Sequence, residues 1–349
     1  MSFSPKTKYL AAVALALAVI LLWSGCGEDN DRNTPDVSHI QVDVKIRRFE
    51  QDLFALDTNN LEAGLQQLAE KYPDMLPLFA GTLIHDLSRP DETPVQAVEN
   101  FLRCPSTHQL YDTVQQVYGD LRWLESDLTQ MFRYYKYYFP QKPVPEIVTL
   151  ISEFGISAFT IGNQLCGIGL DMFLGENYPA YFAFEDTSPA YIRRQLKKEY
   201  ITTRAAKALA QEIAGPPPGE RLLDQMVHNG KILYIVDCLL PEVPDSMKMG
   251  YTREQMEGSY ANEQGVWTRL LEQNLLYSTD SKKLNKLVSP SPNAPVVFQE
   301  APGEIGNWIG WQIVKAYMKR YPETTMEQLL NFTDAQKFLE QSKYKPRRN

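Results

Sequence analysis

Histidine and cysteine are scarce, four of each in 349 residues. Cys26, Cys104, Cys166 and Cys238 are far apart, with no CxxC run and no Cys/His pairing of the kind that holds zinc. No HExxH run occurs, so the usual two-histidine zinc helix is missing. A P-loop is absent too. Gly167-x-Gly169 tempts a dinucleotide reading, but Met172 stands where the third glycine belongs. Gly155-Ile156-Ser157-Ala158 comes nearest to a serine-nucleophile elbow, and Phe159 takes the place of its second glycine. Positive charge is in deficit: 35 Lys and Arg against 43 Asp and Glu, a net −8. That excludes a nucleic-acid protein, which needs a basic footprint, and adsorption to anionic lipid by charge alone. What the chain does have is 44% hydrophobic and 22% charged residues, ordinary for a packed globular protein.

Residues 1–25 read as a separate unit. Lys6 and Lys8 precede an apolar run, Leu10–Trp23, whose fourteen residues are too few to cross a bilayer comfortably and suit a signal-peptide core. Trp23-Ser24-Gly25-Cys26 resembles a lipobox, in which the cysteine receives diacylglycerol and becomes the new N-terminus. Leu22 stands one place earlier than the pattern's leucine. The expectation is a lipoprotein signal peptide over 1–25 and lipidation, palmitate included, at Cys26. A conventional signal peptide or an uncleaved anchor is the alternative. Residues 26–38 are polar and read as a flexible tether. Glu28-Asp29 resembles the surface-export signal on lipoproteins of gliding bacteria, which favours the outer over the inner membrane. Residues 39–349 then make a single globular domain, with a candidate subdivision at 140–145. The three remaining cysteines are read as structural, with at most one disulfide.

Along the body, Ile40, Val42, Val44 and Ile46 alternate with polar residues and predict a half-buried strand up to Phe49. Helices are expected over 60–71, from Thr93-Pro94, over 109–118 and over 121–139. The last carries Trp123, Tyr134, Tyr135, Tyr137 and Tyr138, a packing surface or, in the alternative, a partner face. Strands are predicted at Glu146–Ser152 and Gly167–Phe173, an aromatic loop at 177–184, and an unbroken helix over 189–214. Thr252 with Gln255 forms a capping-box pattern, and its helix is expected to break near Gly258. Gly303, Gly306 and Gly310 on one helix face would let another backbone come close. Short helices start at Thr325 and Asp334, and the basic tail 343–349 is expected to fray. Few strands among many helices give an α+β, helix-dominated fold.

The chain is organised around Arg221–Glu242, RLLDQMVHNGKILYIVDCLLPE. Leu222, Leu223, Met226, Val227, Leu233 and Tyr234 recur at helical spacing, and Ile232, Ile235 and Val236 make the opposite side apolar as well. A helix apolar all round is buried. Asp224, His228 and Lys231 share a stripe on it. Such a stripe is either an internal ion-pair and hydrogen-bond set or a site.

Two strands before a histidine-bearing helix, with Glu263 on the next, follow the layout of HExxH zinc peptidases. Asn229 stands in the general base's place and Ile232 in that of the second histidine; neither can do that chemistry. The expectation is a fold related to zinc peptidases, with no catalytic residue, metal or cofactor assigned. His228–Asp237, Arg48–Phe54, Phe173–Gly175 with Tyr178-Pro179, Lys248–Thr252 with Gln255, Asn262-Glu263, Leu276–Asp280, Gly303–Val314 and Ser342–Pro346 resemble segments of the gliding-motility lipoprotein GldB family. The resemblance implies a lipid-anchored envelope protein, a non-catalytic component or accessory of gliding or protein-secretion machinery with envelope proteins as partners. The competing reading is a divergent hydrolase working through Asp224, His228, Lys231 and Glu263. A small-ligand or glycan receptor, suggested by the aromatic content alone, is a third.

Overall fold

Four strands, β1 (Ile46–Arg48), β2 (Glu146–Leu150), β3 (Ala158–Ile161) and β4 (Leu165–Gly169), form one sheet in the order β1-β2-β4-β3. The computed structural model describes residues 34–85, 88–89, 91–184 and 188–347; the expected signal peptide and the lipidation expected at Cys26 lie outside them. β1, β2 and β4 run parallel, and β3 is antiparallel to β4 at the edge. β2 beyond Glu146 and all of β4 are buried, as the continuous apolar runs of a covered parallel sheet require.

The strand expected from Ile40 shrinks to three residues. The N–H groups of Val44 and Ile46 donate instead to Thr129 Oγ1 (3.2 Å) and Glu125 Oε1 (3.0 Å) on the helix Arg122–Tyr138. The strand expected at Gly167–Phe173 begins and ends earlier. The Asp171 carboxylate accepts the N–H groups of Ser152 (3.2 Å) and Phe154 (2.6 Å), and the chain turns there into the 3-10 segment Leu170–Phe173. Strand β3 was not expected. Its Phe159 ring lies over Gly167, where a Cβ would meet it at 2.3 Å, so that glycine makes room for an aromatic across the ladder.

The central helix, Leu222–Leu239, is buried on nearly every face, as its all-round apolar pattern demands. It packs against the sheet-covering helix Ile201–Ala214 and, most extensively, against Ile305–Arg320. Gly230 and Gly310 are the point of closest approach. A Cβ on Gly230 would lie 2.3 Å from the Gly310 carbonyl carbon, and one on Gly310 would lie 1.8 Å from the Met226 oxygen. At Gly310 the approaching backbone is the central helix, whereas at Gly306 it is that of Leu287 and at Gly303 that of Ser291. Gly303 lies before Ile305–Arg320 rather than on it.

The helix expected over 189–214 is interrupted. Ala190–Arg193 ends, Gly175 N–H donates to Leu196 O (2.9 Å), and the chain re-enters helix at Ile201. The break expected near Gly258 falls at Asn262, whose amide reaches back to Gly258 O (2.8 Å). The expected aromatic loop is a 3-10 segment, Pro179–Phe184. Thr93, Thr252 and Thr325 each form the full capping box. Val37, at the end of the expected tether, is buried in the core. Cys104, Cys166 and Cys238 are free thiols. Among the described residues no helix is long and apolar enough to cross a membrane.

Candidate functional site

The polar groups of the central helix are placed by its own geometry. Asp224 lies in its first turn and accepts from Arg221, through the backbone N–H (3.1 Å) and two guanidinium nitrogens (2.8 and 2.7 Å). It is a cap, suited to the positive end of a helix. His228, one turn on, is hydrogen-bonded to the backbone of Gly215, the residue that ends Ile201–Ala214. Burial first, and then the Lys231 charge, hold the imidazole below its ordinary pKa against that bond. Lys231 donates to Phe332 O (2.7 Å) and lies 5.1 Å from the Phe338 ring centre. Burial pulls its ammonium down to about 8. Glu263 accepts from the Tyr344 hydroxyl at 2.7 Å. Burial raises its carboxyl above the usual range, against the pull of Tyr344 and Arg347. Asp224 thus caps its own helix, and His228, Lys231 and Glu263 each join a different segment. The tail expected to fray is tied down at Tyr344, and Arg347 lies over the Tyr260 ring. Among the described residues no three His, Cys, Asp or Glu side chains cluster so as to hold a metal ion.

A cleft opens beside the neighbouring face of the central helix. Its volume is about 310 Å³, and Asn229, Ile232 and Leu233 form one wall. Arg204 and Lys207 of Ile201–Ala214 form a second, and Glu304 and Asn307 a third. Asn229 donates to Asn307 Oδ1 (2.8 Å), and Asn307 donates to Glu304 Oε1 (3.1 Å) and Val288 O (3.0 Å). Glu304 holds a left-handed backbone, φ 63°, immediately before its helix. A non-glycine residue in that region costs conformational energy that its surroundings must offset.

At the C-terminal end of the central helix the charges are closed on themselves. Lys248 bridges Asp237 (2.6 Å) and Asp245 (3.3 Å), Lys315 reaches Asp245 (2.9 Å), and the Tyr260 hydroxyl donates to Asp245 (2.9 Å). Desolvation pushes the Asp245 carboxyl up, but Lys315, Lys248 and the Lys315 and Tyr260 hydrogen bonds outweigh it, and the net shift is downward.

The family model of the gliding motility protein GldB matches residues 30–346. The chain belongs to the GldB family. No curated protein and no solved structure matches it. Three of the segments that carry the GldB resemblance meet at the two places just described. His228–Asp237 contributes Asn229, Ile232 and Leu233 to the cleft and Asp237 to the ion cluster. Lys248–Thr252 contributes Met249 to the cleft, Lys248 to the cluster, and a Tyr251 hydroxyl that donates to Gly303 O (2.7 Å). Gly303–Val314 brings Glu304, Asn307 and Gly310. Elsewhere, Leu222 N–H donates to Ser278 O (3.0 Å). In Arg48–Phe54 the buried Glu50 accepts from Arg48 (2.5 Å) and Thr149 (2.8 Å). Sequence reasoning gave Glu304 and Asn307 no role of their own and passed over Arg204 altogether. Only the inclusion of the first two in Gly303–Val314 marked them.

Proposed function

We propose that this GldB-family chain is an envelope lipoprotein, tied to a membrane by lipid on Cys26. It is a non-catalytic component or accessory of the gliding motility or protein-secretion machinery and works by contact with envelope proteins. The family match over residues 30–346 carries the reading. Support comes from the separate structural duties of Asp224, a cap to its own helix, and of His228, Lys231 and Glu263, each engaged by a different segment. The acidic balance leaves lipid rather than charge as the membrane tie, and Glu28-Asp29 favours the outer membrane.

The test is complementation of gliding in a host whose own copy is deleted. Cys26→Ala should fail to restore movement and should leave the membrane fraction. His228→Gln, checked for folding by circular dichroism, should restore it, and gentle solubilisation should co-purify motility or secretion proteins. A folded His228→Gln chain that loses both movement and a measurable hydrolysis would sink the reading.

A further inference from the structure

We propose that the cleft beside Asn229 binds a small zwitterion, of amino-acid to short-peptide size, by its carboxylate. A recess of about 50 Å³ shares Arg204, Lys207 and Glu304 with the cleft and adds Thr203. Two buried polar atoms on its wall, Arg204 Nε and Thr203 Oγ1, have no hydrogen-bond partner in the protein. The Arg204 guanidinium is held by a single bond from Nη2 to Gln195 Oε1 (3.0 Å). Thr203 is 4% exposed. A guanidinium nitrogen only donates, and a hydroxyl can donate too. Neighbouring donors of this kind suit an ionised group with two acceptor oxygens. A single water needs about 10–15 Å³ of such space, so the recess has room for a carboxylate.

The other charges select the rest of the ligand. Lys207 adds a second cation to the same lining. Glu304 adds an anion, fixed by Asn307 and by its left-handed backbone. It repels a dianion and attracts an ammonium at the ligand's far end. Between them Asn229, Asn307 and Gln211 supply side-chain amides, the natural partners of a peptide group. The cleft lies at the small end of the roughly 300–1,000 Å³ range of small-molecule sites, which limits the ligand to a few residues. This binding is independent of what the chain contacts in the envelope.

The experiment is titration calorimetry on the full-length chain in detergent, with alanine, dialanine, trialanine, dialanine amide and inorganic phosphate. At least one of the three free acids should bind. Dialanine amide should bind about tenfold more weakly than dialanine, the loss expected for a charge-assisted hydrogen bond. Arg204→Gln should abolish the preference for the free acid. Lys207→Gln, at a half-exposed position, should weaken binding several-fold and keeps the test alive should the Arg204 variant not fold. Tightest binding by alanine supports a free amino acid, and by dialanine or trialanine a peptide. No heat from any free acid, equal binding of amide and acid, or tighter binding of phosphate would overturn the proposal.

Discussion

The central helix is polar at two places, and they are built in opposite ways. At its C-terminal end, Asp237 meets Lys248, Asp245 and Lys315, two acids against two bases, with the Tyr260 hydroxyl as an added donor. Beside Asn229 the charges of Arg204 and Glu304 line separate walls of one cleft, yet no ion pair closes them. The first arrangement uses its charges to join the helix to Asp245–Met249, Arg253–Ala261 and Ile305–Arg320. The second holds them apart across a cavity. Burial alone therefore does not say what a charged group is for; the closure of its hydrogen bonds does.

Removing one partner from the closed cluster should have the largest effect. Lys248→Met leaves two buried carboxylates with Lys315 as the remaining ammonium, and urea denaturation should show a loss of about 3–5 kcal/mol. Next is the junction between the two places. Gly230→Ala drives a methyl group into the Gly310 backbone and should cost about 1–3 kcal/mol. Asn229→Ala in the cleft should cost only about 1 kcal/mol, because Asn307 keeps its bonds to Val288 and Glu304. Equal losses for Lys248→Met and Asn229→Ala would erase the contrast.

The finest test uses pH and sets Asp245 against Asp171. Asp245 has a lowered folded-state pKa, so its contribution is present above the ordinary carboxylate value and is lost as pH falls through the folded one. Asp171 is raised to about 7, by desolvation that outweighs the Ser152 and Phe154 N–H donors. Between about 3.9 and that value the folded chain holds a proton that the unfolded chain has released. Stability is thus lost as pH rises through this window. Asp171→Asn should flatten the denaturation midpoint over that window, and Asp245→Asn should flatten it on the acid side. An unchanged profile in the Asp171 variant would contradict the assignment.

Much of this was legible in the chain. The central helix follows from an apolar pattern on every face, and the threonine caps from spacing alone, because both are local. The glycine face was legible as a device, though not which backbone it admits. Less visible was anything decided by a distant partner. Residues 40–45 look like a strand, but their N–H groups are taken by Thr129 and, just beyond, Glu125. Asp224, His228 and Lys231 share a stripe at regular spacing, but while Asp224 is held by its own helix cap, the partners of His228 and Lys231 come from separate segments that periodicity does not report. Arg204 carried no signal, since a basic residue on an amphipathic helix reads as a solvated face until the cavity beside it is seen.

The Tyr344 hydroxyl that satisfies Glu263 comes from a segment 81 residues further along the chain. The same tyrosine sets its ring edge-on against Trp267, so one side chain closes both a polar and an apolar gap on the helix Glu263–Glu272. A protease that cut just ahead of Tyr344 would leave the buried carboxylate without its hydroxyl donor. That short segment is a clasp, and the interior behind it is only as closed as the clasp.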